Sequence, residues 1–243
     1  LSYPELIDSF LEQFRQGRGK GKPIVGATVH WGFDHLRRIW PDARFIHLVR
    51  DPRDVTRSVI QKRWAGNVWG GLDRWVESED IWDRIEPTLA PEDFIQVRFE
   101  ELVGQPEQEL HRLCAFLGEP YDPAMLRYDQ DSPYEAPNTN ISQQWRRKLS
   151  ERDIQLIEAR VGDQMLARGY ELSGLPQLQI DARDEQQLRR QDRWVRIRKR
   201  VEFLGPGLFT LDIASRKLGM AFLRPYVRRR VWSLVDEVVR ESR

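Results

Sequence analysis

The sequence predicts an α/β fold: a parallel sheet flanked by helices, followed by a basic helical C-terminal extension. Three observations predict it. The continuous apolar runs Phe45-Ile-His-Leu-Val49 and Phe94-Ile-Gln-Val97 have the length and composition of strands buried in a parallel sheet. Each run is followed by residues patterned as a helix, and strands alternating with helices argue for parallel pairing. Beyond Pro176 the chain turns basic and helical, as in Arg196-Ile-Arg-Lys-Arg200 and Arg228-Arg-Arg230. Residues 1–174 are read as the α/β domain and residues 175–243 as the extension.

The elements follow in order. Leu6, Ile7, Phe10, Leu11 and Phe14 recur at helical spacing, so Tyr3 to Phe14 is a helix. Gly17-Arg-Gly-Lys-Gly-Lys22 ends it as a solvated turn. It resembles a phosphate cradle but lacks the Gly-Lys-Ser/Thr ending, and no strand precedes it. Pro23 to Thr28 is read as a short strand and Gly32 to Trp40 as a helix. Pro41-Asp42 stops that helix before the first apolar run. Pro52 suits the first turn of a helix reaching Trp64. Gly66 to Gly71 is read as a loop and Leu72 to Ile85 as a Trp-rich helix. After the second run, Pro106 opens a helix with Leu110, Leu113, Cys114 and Leu117 on one face, and Gly118 suits its C-terminal cap. Pro120 to Asn140 is a long loop. Ser150 caps a helix that ends near Gly169. Gly205-Pro-Gly207 interrupts the extension.

Composition excludes several classes. A single cysteine, Cys114, rules out an intramolecular disulfide framework and a multi-cysteine metal site; it reads as core filler. A net charge of +1 gives no reason to expect a polyanion partner for the whole chain. No apolar run approaches the roughly 20 residues of a transmembrane helix, and no signal-peptide pattern is present. The expected location is cytoplasmic. The basic tail allows a peripheral membrane contact or a homo-oligomer contact. Nucleic acid is not an expected partner, because no recognised fold or base-stacking pattern accompanies the tail. No metal is expected.

One constellation carries chemistry. In Arg50-Asp-Pro-Arg-Asp-Val-Thr-Arg-Ser58, Arg50 leaves the sheet at its carboxyl edge, where ligands of parallel sheets bind. A helix N-terminus follows at once, and Ser58 lies about two turns into it. A guanidinium fork with a hydroxyl donor matches a phosphate dianion. A structural ion pair is the competing reading of a strand-end arginine.

The run from Pro41 to Ser58 closely resembles the 3′-phosphate-binding element of sulfotransferases that use 3′-phosphoadenosine 5′-phosphosulfate (PAPS). Arg98-Phe-Glu-Glu-Leu102, with its helix ending Phe116-Leu-Gly118, is similar to the family's Arg-Tyr-Glu-Asp-Leu segment. Trp145-Arg-Arg-Lys-Leu-Ser150 and the helix to Tyr170 resemble its closing segment. The resemblance runs from about Gly26 to Leu172. It implies a P-loop-NTPase-like fold, of which residues 1–174 are the C-terminal two-thirds. It further implies that Arg50 and Ser58 hold the 3′-phosphate, that Phe99 lies near the adenine, and that Arg146 adds a nucleotide contact. The expected donor is PAPS, leaving PAP. The expected acceptor is a small-molecule, glycan or lipid-like hydroxyl or amine.

Two departures stand out. The family opens with a strand and a Gly-x-Pro-Arg-Ser-Gly-Thr-Thr-like loop that cradles the 5′-phosphosulfate, and this sequence does not contain it. The expectation is that the chain is a fragment and that this piece lies before Leu1. Some relatives also place Arg-Lys-Gly or Gly-Arg just before the closing Trp, where Asn138-Thr139 and Gln143-Gln144 stand here. For the base that takes the acceptor proton, the family uses a His about twenty residues before the strand-end Arg. His30, in Gly26-Ala-Thr-Val-His30, fits that position; a solvated loop histidine is the plain alternative. His35 is the second candidate. His47 reads as strand core and His111 as helix surface. Arg63 to Trp69 and Trp75 read as an acceptor-pocket wall or as core packing. The rival function is a non-catalytic PAP-binding or scaffold protein on the same fold. A P-loop kinase relative is disfavoured by the Arg50–Ser58 spacing.

Overall fold

The computed structural model describes residues 2–17, 21–130, 139–217 and 220–241. Residues 18–20 of the basic Gly17-to-Lys22 turn, most of the loop after Gln130 and Asn138 lie outside the described residues. In chain order the elements are α1 (Tyr3–Gln16), α2 (Leu36–Ile39), β1 (Phe45–Val49), α3 (Pro52–Gln61), α4 (Val68–Gly71), α5 (Asp73–Ile85), β2 (Phe94–Arg98), α6 (Phe99–Gly104), α7 (Pro106–Leu117), α8 (Trp145–Lys148), α9 (Glu151–Ala167), α10 (Ala182–Lys217) and α11 (Arg224–Glu241). The chain divides into two compact units. The first is Leu1–Arg50 with Arg74–Ser142, and the second is Asp51–Asp73 with Gln143–Arg243.

The first unit holds the sheet. β1 and β2 pair in parallel, from Phe45 opposite Phe94 to Val49 opposite Arg98. Parallel register brings both carboxyl ends to one edge, so the residues that follow, Arg50 and Phe99, leave the sheet side by side. Trp82 of α5 organises the core beneath. His47 stacks on it at 4.2 Å, and Phe45 and Phe94 meet it edge-on at 6.3 and 5.7 Å. The continuous apolar character of β1 predicts burial on both faces, but only the Phe45–Val49 face is buried. Ile46 and Leu48 are exposed on the other. The expected strand at Pro23 to Thr28 does not form: residues 22–31 carry no ladder bonds, and the described sheet has two strands. Gly118 takes the left-handed conformation (φ 78°) that the C-terminal cap of α7 requires, and Cys114 is buried in that helix.

The second unit is helical. α9 presents Ile154, Ile157, Val161 and Met165 at helical spacing, all buried, and Ser150 caps it by accepting the Asp153 N–H at 3.1 Å. Residues 66–71 are not the simple loop expected. Asn67 accepts the Gly70 N–H at 3.0 Å and so caps the short helix α4. The glycines there are set by a distant partner. Asp192 of α10 accepts the Gly66 N–H at 2.7 Å, and a Cβ on Gly66 would lie 2.5 Å from the Asp192 backbone oxygen. Gly66→Ala is therefore expected to cost about 2 kcal/mol through overpacking, seen as a lower urea midpoint at unchanged slope. α10 breaks at Gly205 (φ 71°) with Pro206 next, as Gly205-Pro-Gly207 predicts.

Candidate functional site

In the first unit, Arg50 stands at the carboxyl edge of the sheet. Its guanidinium lies over the Phe99 ring, 4.3 Å from the centroid. Its Nη2 donates to the Ile141 carbonyl at 2.7 Å, and its own carbonyl accepts from the Trp75 indole at 3.0 Å. The Arg50 Nε is buried without a hydrogen-bond partner. An arginine held by stacking and one carbonyl, with a donor to spare, is preorganised to receive an anion. Arg98 is engaged locally by Glu101, to which its Nε donates at 2.9 Å. The two strand-end arginines thus differ in what they have left to give.

His30 lies on the exposed, irregular stretch before β1. Its carbonyl accepts weakly from the Ser78 hydroxyl at 3.5 Å, and its ring meets Trp31 edge-on at 6.0 Å. Among the described residues no hydrogen bond, ion pair or ring contact joins His30 to Arg50 or Phe99. His35 is exposed in the short turn of helix before α2. His47 is core: it faces Glu79 at 3.2 Å as well as Trp82. Trp75 is buried, which places it in the packing.

In the second unit, the helix that follows Arg50 in sequence is anchored by a network that the sequence reading did not find. Asp51 caps α3 by accepting the Arg53 N–H at 2.9 Å, and its carboxylate receives the Arg53 guanidinium at 2.9 and 2.7 Å. Arg53 Nη1 also donates to Glu158 of α9 at 2.8 Å. Glu158 in turn accepts from the Ser173 N–H and hydroxyl. The same guanidinium lies 3.7 Å from the Trp145 centroid. Asp54 accepts the Trp145 N–H at 2.9 Å. α3 therefore fixes Trp145, and the exposed Arg146 lies over that ring at 4.4 Å. Ser58 is half-buried in α3, and its hydroxyl makes no hydrogen bond among the described residues. Trp69 is buried, and Arg160 lies over its ring at 5.1 Å.

The structure thus brings Arg50 to Phe99 in one unit and ties Arg146, through Trp145, to the helix of Ser58 in the other. The Arg53 network had one local signal in the sequence: an acid at the helix cap with an arginine two residues on. Its partner Glu158 is too far along the chain for local reading. Among the described residues no cluster of His, Cys, Asp and Glu could hold a metal ion.

The family model described as the sulfotransferase family matches residues 1–123. Omega-hydroxy-beta-dihydromenaquinone-9 sulfotransferase Stf3 of Mycobacterium tuberculosis (strain CDC 1551 / Oshkosh) is 31% identical over 139 residues, which cover 50% of this chain and 36% of that protein. Carbohydrate sulfotransferase 5 of Homo sapiens is 32% identical over 142 residues, or 44% of this chain and 34% of that protein. Protein-tyrosine sulfotransferase A of Caenorhabditis elegans is 24% identical over 134 residues, or 51% and 35%. The chain spans little more than a third of the length of these curated relatives. The sulfotransferase domain from the curacin biosynthetic pathway superposes with a TM-score of 0.48 at 23% identity, over 56% of this chain and 58% of that one.

Proposed function

The chain belongs to the sulfotransferase family, and from that premise we propose that it transfers a sulfuryl group from PAPS to a hydroxyl or amine acceptor. The observation that carries the proposal is Arg50 at the sheet edge, stacked on Phe99, with a buried Nε that has no partner. In this reading Arg50 and the Ser58 hydroxyl hold the 3′-phosphate, Phe99 stands by the adenine, and Arg146 adds a cation to the nucleotide. Residues 1–174 are the catalytic domain's C-terminal part and 175–243 an extension. No metal takes part. Relatives are named for a hydroxylated menaquinone, carbohydrate and protein tyrosine; a hydroxyl or amine on a small molecule, glycan or lipid-like molecule is the acceptor class we infer. A cytoplasmic setting belongs to the same proposal.

The chemistry is an in-line displacement. The acceptor oxygen forms a bond to sulfur, the bond from sulfur to the bridging phosphate oxygen breaks, and PAP leaves with its electron pair. His30 takes the acceptor proton at an imidazole nitrogen. Fixed cations around the departing nucleotide stabilise the charge that develops on it.

The test uses the full-length gene product with labelled PAPS and a panel of phenols, sugars, lipid alcohols and amines. Label should move to one acceptor class. His30→Ala should lower turnover about a hundredfold while PAP binding stays near its original value. Retained turnover would transfer the role to His35 or a carboxylate. PAP binding with no transfer to any acceptor would favour the non-catalytic reading.

A further inference from the structure

Sulfuryl transfer leaves unexplained an arginine-rich, aromatic surface on the C-terminal extension. On α10 before Gly205, Arg190, Trp194, Ile197 and Arg198 recur at positions i, i+4, i+7 and i+8, which is one helical face. Trp194 is 70% exposed, and Ile197 is exposed beside it. A cleft of about 440 Å³ runs along the same helix, lined in part by Arg189, Arg190 and Arg193. Arg189 is paired with Glu185 at 2.8 Å and Asp73 at 3.4 Å. Arg190 and Arg193 have no ion-pair partner among the described residues. Asp192, the acid between them, is buried and turned to the Gly66 N–H and to Arg196. Further on, Phe222 is 78% exposed. It stands with exposed Met220, Tyr226 and Trp232 among Arg224, Arg228, Arg229 and Arg230, and no acid falls between Met220 and Val235.

We propose that this extension docks on an anionic phospholipid surface, with Arg190 and Arg193 at lipid phosphates and Trp194 inserted at headgroup depth. Charge complementarity is the first argument: Arg190 and Arg193 have no internal partner among the described residues and Asp192 between them is turned inward, whereas Arg198 is paired with the exposed Glu202 at 2.9 Å. The second is the company they keep. Tryptophan and tyrosine suit the membrane interface, and arginine stems lie along apolar surface while their heads stay wet. Ile197 and Met220 add exposed aliphatic surface that matches acyl chains. The contact is peripheral, because no helix among the described residues is long and apolar enough to cross a membrane.

The test is flotation of the full chain with vesicles of phosphatidylcholine alone or with about one-third phosphatidylserine. The chain should float with the anionic vesicles only and be released by high salt. The double variant Arg190→Gln/Arg193→Gln should lower partition roughly thirtyfold. Trp194→Ser should lower it too, with an unchanged circular dichroism spectrum because that side chain is exposed. Equal flotation on both vesicles, no flotation, or unchanged partition in both variants would overturn the proposal. So would sedimentation showing self-association that Trp194→Ser abolishes in a chain that ignores vesicles, or RNA binding in their place. None of these outcomes depends on sulfuryl transfer.

Discussion

Arg53→Ala is expected to destabilise the protein by about 3–5 kcal/mol, read as a fall in the urea midpoint at unchanged slope. The magnitude follows from what would be left behind. Arg53 is 3% exposed, and its guanidinium is the cation between the carboxylates of Asp51 and Glu158. Removing it leaves two buried anions without their shared partner. It also strips Trp145 of the cation lying 3.7 Å from its centroid. Arg53→Lys should recover only part of the loss, since an ammonium cannot span both carboxylates and stack in one geometry. A loss under about 1 kcal/mol, the range of exposed pairs, would show that the network carries little of the fold.

The elements that position the site were legible wherever local chemistry decides structure. Phe45 to Val49, the strand-end Arg50 and the Pro52 helix start each carry their own signal, and β1 and α3 form where those signals place them. The Ser150 cap and the Gly118 terminus are of the same kind. Where a partner distant in the chain decides, the sequence was silent. Pro23 to Thr28 has strand-like composition but joins neither open edge of the two-stranded sheet. Gly66 and Gly70 look like loop glycines, yet their size is set by Asp192, more than a hundred residues on.

The candidate site divides along the same line. Arg50 was legible as a strand-end cation, and Phe99 and Arg146 through the resemblance of their segments to known relatives. Register makes Arg50 and Phe99 neighbours, because Val49 pairs with Arg98 and each strand releases its next residue at the same edge. The Ile141 carbonyl that takes one arm of Arg50 comes from a segment with no motif of its own. Arg53 lies in the same run, yet it is held between the carboxylates of Asp51 and Glu158. In Arg50-Asp-Pro-Arg-Asp-Val-Thr-Arg-Ser58, three arginines of similar appearance sit in three different environments. Arg50 is stacked with a donor to spare, Arg53 is buried between carboxylates, and Arg57 is 3.9 Å from Asp54.

We propose that Arg50 grips the 3′-phosphate of the nucleotide. Its fork would give charge-assisted hydrogen bonds to a dianion, each worth about 1.5–3 kcal/mol where water is excluded. Arg50→Ala should thus weaken PAP binding by about 3 kcal/mol, or roughly a hundredfold and more, while the unfolding free energy falls by about 1 kcal/mol for the lost Ile141 contact. Arg50→Lys should fall between, keeping the charge but losing the fork. Adenosine 5′-phosphate, which lacks the 3′-phosphate, should bind weakly to both forms and discriminate little between them. Isothermal calorimetry of the full-length protein and its Arg50→Ala variant with PAP is the direct measurement. A large loss of affinity for PAP alone is the predicted result; affinity for PAP unchanged by the substitution would show that Arg50 does not hold the 3′-phosphate.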